Sequence, residues 1–290
     1  MRLMLYDGRH NDVRRDTLTI TADDGRALPA TWYEPIGVAP VGVVVVAPAM
    51  ATPASYYAAF ATWLATQGYR TLVFDVRGMD SVAAMKAEDA DLLRWFGDMA
   101  SALDVALGSA GDLPVTYVGH SLGGQAIPFV DHSRVDRIIT VASGTGYYRH
   151  NLPAFRWGVP LAKYVIAPVA SRAAGYFPGR RLHILGDVPS GVMRQWGRWC
   201  MHPDAMGADV PNVAERFASV TSPITSITFT DDQLLSQANF AELHDRFVNA
   251  DQVRQRYSPA QLEVDRMGHH GFFRARHQDL WDELVLPYLA

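Results

Sequence analysis

The chain of 290 residues contains a single cysteine, Cys200, so it cannot form an intrachain disulfide. It also lacks a long apolar run, because the most apolar stretch, residues 41–50, is about half the length that a membrane-spanning helix needs. It has no run of five or more basic residues, and its net charge of -4 disfavours a nucleic-acid-binding surface. The segment from Met1 to Arg9 turns polar too soon to hold the apolar core of a secretory signal. These absences predict a soluble, cytoplasmic protein without a membrane span.

Strands and helices alternate over much of the chain. Hydrophobic residues make up 49% and charged residues 19%, which is typical of a globular protein with a substantial core. Short apolar runs predict strands at residues 41–48, 69–76, 115–118, 135–142, 224–230 and 261–264, with helical patterns between most of them. This alternation indicates right-handed βαβ units on a parallel sheet. Residues 16–33 predict a hairpin with its turn at 23–25, and Pro29 favours an edge position.

The alternation stops between residues 144 and 222. This stretch has no valine-rich strand, is rich in aromatic residues, and is divided by Pro and Gly into short helical pieces. We interpret it as a helical cap inserted into a core domain made of residues 1–143 and 223–290. Its aromatic residues, among them Tyr147, Trp196 and Trp199, could line a pocket for an apolar substrate or form the core of the cap itself.

The sequence around Ser121 predicts a strand, a sharp turn and a helix start. A β-branched run ends in Gly-His-Ser-Leu-Gly, residues 119–123, and small residues follow. Glycines two positions before and two after a serine allow a strand and a helix to pass close to a strained backbone, so that the hydroxyl projects from the sheet edge. The first N–H groups of the helix suit a developing negative charge. Ser121 is therefore a candidate nucleophile.

A serine nucleophile needs a base and an orienting acid, and both follow in the expected order. The pair Asp231 and Asp232 comes after the predicted strand 224–230, and the pair His269 and His270 comes after the predicted strand 261–264. Strand C-termini are where an open α/β sheet gathers its ligand groups. The residues alone leave open which aspartate and which histidine act.

Three segments of the chain resemble sequence motifs of the α/β-hydrolase superfamily: residues 119–124, 74–78 and 268–274. The closest branch resembles the bacterial hydrolases of the serine aminopeptidase-like and lysophospholipase-like group. The resemblance implies a mostly parallel central sheet with helices on both faces and a helical cap before the acid-bearing strand. It also favours Asp232 as the acid, although Ser236 stands where relatives have proline, and His269 as the base.

The resemblance further implies an oxyanion hole built from two backbone N–H groups. One belongs to Leu122, and the other maps to Met50 with Ala49 as the fallback, because this chain has Pro-Ala-Met where many relatives have His-Gly. No cofactor or metal is expected. Cys200 and His202 lack a second pair of ligands, so a metal site there is disfavoured.

These features predict a serine hydrolase that acts on small or medium apolar acyl esters through an acyl-enzyme. A thioesterase or acyltransferase would keep the same residues, since the acceptor is chosen by the cap. A peptidase is possible by resemblance, whereas an epoxide hydrolase or haloalkane dehalogenase would need aspartate at position 121. A different class of function is a catalytically silent small-molecule-binding protein of the same fold.

Overall fold

The structure, a computed structural model, describes residues 13–290, so the prediction made for the first nine residues lies outside the described part. Eight strands form one sheet. They are β1 (Arg14–Thr21), β2 (Ala27–Glu34), β3 (Gly42–Ala47), β4 (Tyr69–Phe74), β5 (Val115–His120), β6 (Arg137–Val141), β7 (Ile224–Phe229) and β8 (Gln252–Tyr257). Their order is β1-β2-β4-β3-β5-β6-β7-β8. β2 runs in the opposite direction to the other seven strands, which confirms the prediction of a mostly parallel sheet.

Eleven α-helices lie in the described residues, most of them short. They are α1 (Ala58–Thr66), α2 (Val82–Ala87), α3 (Leu92–Ala110), α4 (Leu122–Gln125), α5 (Pro153–Leu161), α6 (Ala167–Ala174), α7 (Gly179–Leu182), α8 (Ser190–Met201), α9 (Val213–Ala218), α10 (Gln237–His244) and α11 (Trp281–Leu284). Short 3-10 turns connect several of them. Near the C-terminus, α11 is flanked by 3-10 helices at Ala275–Leu280 and Leu286–Tyr288.

The sheet is covered on both faces, because the central strand β3 is apolar on both sides. Val43 and Val45 pack with α3, whereas Val44 and Val46 pack with α1 and α11. A strand that is buried on both faces shows no polar alternation, and this explains the continuous valine run. The packing confirms helices on both faces of the sheet.

The predicted last strand at residues 261–264 is wrong. The structure has a strand at Gln252–Tyr257 instead, and residues 258–264 form turns in which Glu263 has a positive φ of 54°. β8 is one of the two edge strands of the sheet and pairs only with β7. It therefore tolerates the polar sequence QVRQRY and gives no apolar signal. His269 therefore follows β8 through a long loop.

The hairpin at residues 16–33 forms as predicted, but Pro29 does not lie in the edge strand. β1 is the edge, and β2 lies between β1 and β4. The ladder with β4 covers only Ala30 to Tyr33, so the missing N–H of Pro29 falls just outside it. The Pro29 carbonyl accepts a hydrogen bond from the Asp75 N–H.

Arg77 ties the hairpin turn to α3. Its buried guanidinium binds Asp98 on α3, with the closest contact at 2.6 Å, and Asp24 in the hairpin turn, also at 2.6 Å. The Arg77 hydrogen bonds hold the pKa of Asp24 well below its usual value. Arg77 therefore has a structural role, joining the hairpin turn to α3.

Residues 144–222 form helices between β6 and β7. Helices α5 and α6 join through a π-helical turn, Ala162–Ile166, so the backbone is helical from Pro153 to Ala174. The one strand-like feature found here is an isolated bridge between Phe177 and Val188. Across residues 13–290, none of the helices combines the length and the apolar character needed to span a bilayer.

Candidate active site

Ser121 lies at a strained turn between β5 and α4. Its φ of 51° and ψ of -105° are rare for a residue with a side chain. Two glycines make the turn possible: a Cβ on Gly119 would lie 2.7 Å from Gly124 N, and one on Gly123 would lie 2.3 Å from Ala47 O. The Gly-x-Ser-x-Gly pattern therefore exists because the backbone needs that space. The turn presents the Ser121 hydroxyl at the C-terminal edge of the sheet.

The structure brings Ser121, His269 and Asp232 into one hydrogen-bonded chain. Ser121 Oγ lies 2.9 Å from His269 Nε2, and His269 Nδ1 lies 2.7 Å from Asp232 Oδ2. The Asp232 carboxylate accepts, so Nδ1 donates and Nε2 is free to accept the Ser121 proton. Asp232 and His269 are both almost fully buried, whereas Ser121 is partly open to the cavity described below.

The second oxygen of Asp232 is fixed by the backbone. Oδ1 accepts hydrogen bonds from Leu234 N at 2.8 Å and Leu235 N at 2.9 Å. These two donors determine how the carboxylate is turned, so that Oδ2 is the oxygen facing His269. The serine at position 236, where relatives have proline, caps α10 instead and does not disturb this turn.

Asp231 and His270 occupy different positions from their neighbours. Asp231 Oδ2 accepts from Met267 N at 2.9 Å and Gly268 N at 3.0 Å, so it shapes the loop that carries His269. The His270 ring packs edge-on against the rings of His269 and His120. Burial, helped by the nearby His269, lowers the pKa of His270 to about 4, so its ring is neutral near pH 7.

Two backbone N–H groups beside Ser121 are free to bind an oxyanion. Neither Met50 N nor Leu122 N donates a hydrogen bond to any group of residues 13–290. The fallback donor, Ala49 N, is already engaged, since it donates to the Tyr57 hydroxyl at 2.8 Å. Ala49 N is therefore not available to bind an oxyanion, whereas Met50 N is.

A buried relay connects this loop to the histidine loop. The Tyr57 hydroxyl accepts from Ala49 N and donates to His120 Nδ1 at 2.8 Å, and His120 Nε2 donates to the His269 carbonyl at 3.1 Å. Burial lowers the pKa of His120 well below its usual value, so the ring is neutral and can accept at one nitrogen while donating at the other. The sequence gives no sign of the link between Tyr57 and His120, because the two residues are 63 positions apart.

A cavity of about 370 Å³ opens above Ser121. The helical insertion supplies much of its wall through one side of the Pro153–Ala174 helix, through residues 183–185 and through Trp196. The remaining wall comes from the core of the fold: Ala49, Met50, Ser121, Leu122, Gln125, Leu234, Leu235, His269 and His270. No lining residue is acidic, and most of the side chains are apolar.

Of the three aromatic residues predicted for the pocket, only Trp196 lies in the cavity wall. Tyr147 is buried against Tyr148 and His150 and is not part of the wall, so that expectation is corrected. Trp199 is also buried elsewhere, because it packs against Phe96 and its indole N–H donates to Asp209 at 2.7 Å. Phe155 and Val159 of α5 lie in the cavity wall instead.

Cys200 is buried, and burial raises the pKa of its thiol well above the usual value. Residues 13–290 contain no group of three or more His, Cys, Asp and Glu side chains that could hold a metal ion.

Comparisons with known proteins agree with this architecture. The family model described as serine aminopeptidase, S33, matches residues 38–181. No curated protein matches the chain by sequence.

Several solved structures are similar over nearly their whole length. An esterase from Pyrococcus furiosus has 13% identity and a TM-score of 0.59, and the match covers 96% of this chain and 92% of that one. The esterase domain of a Rhodothermus marinus protein has 19% identity and a TM-score of 0.57, with 94% and 96% covered. The mouse alpha/beta hydrolase domain-containing protein 10 has 14% identity and a TM-score of 0.56, with 91% and 94% covered. The resemblance noted in the sequence is confirmed: the chain has the α/β-hydrolase fold, and residues 38–181 match the serine aminopeptidase, S33, family model.

Proposed function

We propose that the protein hydrolyses carboxylic esters through an acyl-enzyme on Ser121, with small or medium apolar acyl groups as its substrates. The observation that carries the proposal is the hydrogen-bonded chain from Asp232 through His269 to Ser121, beside the free N–H groups of Met50 and Leu122. Each part has a role in acyl transfer, and Ser121, His269, Met50 and Leu122 all line one cavity. Residues 144–222 act as the cap over this centre.

The mechanism follows from the direction of each hydrogen bond. His269 Nε2 takes the Ser121 proton as Oγ attacks the carbonyl carbon, and Asp232 holds the ring and stabilises the charge that forms on it. The Met50 and Leu122 N–H groups hold the developing oxyanion. His269 then protonates the leaving alcohol. Water, activated by the same nitrogen, attacks the acyl-enzyme and releases the acid.

The cavity supports an apolar acyl group rather than a peptide amino terminus. An aminopeptidase needs a carboxylate to bind the substrate ammonium, and no Asp or Glu lines the cavity. The name of the matching family model therefore does not carry over to the substrate of this chain. Aminoacyl p-nitroanilides should be hydrolysed far more slowly than apolar p-nitrophenyl esters.

Labelling with a fluorophosphonate probe separates the enzyme from a silent binding protein of this fold. We expect an adduct on Ser121 in the native chain and none in Ser121→Ala, which should also lose ester hydrolysis while remaining folded. Absence of the adduct, or substantial turnover by pure Ser121→Ala, would contradict the proposal. Comparing water with added alcohol and thiol acceptors distinguishes a hydrolase from an acyltransferase, and acyl-CoA substrates report a thioesterase.

The acyl-binding role of the cavity has a matched test on one helix. Val159 is buried in the cavity wall, whereas Val165 is exposed on the other side of the same helical stretch. Val159→Phe should shift the preferred p-nitrophenyl ester toward shorter chains, because the larger ring fills the cavity. Val165→Phe should leave the preference unchanged. An unchanged preference in Val159→Phe would show that the acyl chain binds elsewhere.

A further inference from the structure

The Pro153–Ala174 helix has two apolar sides, and only one of them is covered. Its inner side lines the cavity with Val159, Ala162 and Ile166. Its outer side exposes a stripe of large apolar residues that nothing in residues 13–290 covers. These residues, which we call the outer face, are Trp157, Leu161, Tyr164, Val165 and Val169.

The outer face is unusual in both size and order. Trp157 is 80% exposed and Val169 is 66% exposed. Trp157, Leu161, Val165 and Val169 recur every four residues and Tyr164 adjoins Val165, so they form one continuous stripe on the helix rather than isolated surface residues. Exposed apolar patches of this kind mark surfaces that bind something.

The helix that carries the outer face, and the segment around it in the sequence, are rich in basic residues, although Arg198 of this segment is paired with Asp209 at 3.1 Å. The Pro153–Ala174 helix contains Arg156, Lys163 and Arg172 and no acidic residue. Between Asp136 and Asp204 the chain has nine Lys or Arg residues and one acidic residue, Asp187, although the net charge of the whole chain is -4. Asp187 is itself close to Arg180, at 3.9 Å.

This charge distribution selects among possible partners. A second copy of the chain would bring two basic faces together, and like charges across an interface oppose association. An anionic surface would instead be attracted to the basic residues while it covers the apolar ones. Apolar and aromatic residues on one side of a helix, with Lys and Arg beside them, form the pattern that binds lipid interfaces.

We propose that the outer face docks the protein onto an anionic lipid surface. Trp157 and Tyr164 have rings suited to the headgroup region, where one part of the ring is in contact with apolar chains and the other with water. Leu161 belongs both to the outer face and to the cavity wall, so docking places the edge of the cavity at the lipid surface. Binding of this kind does not depend on the proposed ester hydrolysis.

The test measures binding of the full chain to lipid vesicles by co-sedimentation. We expect binding to phosphatidylcholine vesicles that contain about one-third phosphatidylglycerol, weak binding to phosphatidylcholine alone, and loss of binding as the salt concentration is raised. Val169→Glu should weaken binding at least about fivefold, because it adds a negative charge next to an anionic surface. Arg172→Gln should weaken it by about fivefold through loss of one positive charge.

Val248→Glu is the matched control. Val248 is 68% exposed, close to the exposure of Val169, but it lies outside the helical insertion. This variant should bind the vesicles like the native chain. Neither valine lines the cavity, so hydrolysis of a water-soluble p-nitrophenyl ester should be the same in both variants.

Three results would overturn the proposal. The first is absence of binding to the anionic vesicles at low salt, and the second is equal weakening by Val169→Glu and Val248→Glu. The third is a dimer in analytical ultracentrifugation that Val169→Glu dissociates, without vesicle binding, which would assign the outer face to a second copy. Absence of ester hydrolysis by the native chain in solution, with vesicle binding intact, would instead refute the proposed function alone.

Discussion

Replacing Asp232 by asparagine tests the candidate active site at its most informative position. In the native chain Oδ1 accepts two backbone N–H groups, from Leu234 and Leu235, and Oδ2 accepts from His269 Nδ1. The asparagine oxygen must stay on the two backbone donors, because an amide NH₂ facing them would leave three donors without an acceptor. Its NH₂ group is then directed at His269 Nδ1.

The reversed amide changes the histidine tautomer. Nδ1 must accept from the asparagine, so the ring proton moves to Nε2, which then donates toward Ser121 and cannot take its proton. When a base is locked in the wrong tautomer, kcat falls by about 10⁴-fold. That loss corresponds to about 5.5 kcal/mol of transition-state stabilisation. The substitution is isosteric, so the fold should remain.

The assay is hydrolysis of p-nitrophenyl butyrate, with thermal unfolding as the check on folding. Asp231→Asn is the matched control, because Asp231 holds the Met267 and Gly268 N–H groups and does not contact His269. Its amide oxygen can keep both bonds, so kcat should stay within about threefold of the native value, a change below 1 kcal/mol. Retention of a tenth or more of native kcat by Asp232→Asn, or an equal loss in Asp231→Asn, would refute the reasoning.

Two further predictions concern stability. Arg77→Met removes the partner of the fully buried Asp98, so the free energy of unfolding in urea should fall by about 3–5 kcal/mol; a loss below about 1 kcal/mol would mean that the ion pair contributes little. His244 is buried, and burial is the main reason why its pKa is lowered to about 4. Between about pH 6.5 and pH 4 the unfolded chain therefore binds a proton at His244 that the folded chain does not bind. The resulting stability, about 3 kcal/mol, is fully present above pH 6.5 and lost by about pH 4. His244→Gln should reduce this slope in urea titrations at several pH values, and an unchanged slope would contradict the assignment.

The elements that local patterns define were predictable, whereas the edge strand β8 was not. β3 and β5 are buried on both faces and so consist of continuous apolar residues, which the sequence alone reveals. β8 lies at the sheet edge, where polar residues are tolerated, and its sequence does not differ from that of a loop. Residues 261–264, in which Leu262 and Val264 alternate with polar residues, were therefore assigned to the strand, although this segment forms a turn.

The helical insertion shows the same limit at the level of the site. Its helical content and its place between β6 and β7 follow from composition and from the absence of strands. Which aromatic residue faces the cavity depends on how each short helix is rotated against the core, and packing between distant segments sets that rotation. Trp196 faces the cavity and Trp199, three positions later on α8, is buried against Phe96.

The sequence by itself indicated the order of the residues that we propose as nucleophile, acid and base, and it determined the elbow. Gly119 and Gly123 are local requirements of a turn whose backbone leaves no space for a Cβ, so they are visible in five residues. Only the tertiary structure shows which of the alternative groups are in contact with each other. The Tyr57 hydroxyl occupies Ala49 N and leaves Met50 N free, and two backbone donors turn Asp232 toward His269. Those partners are far apart in the chain, and hydrogen bonds between distant residues leave no periodic signal in a sequence.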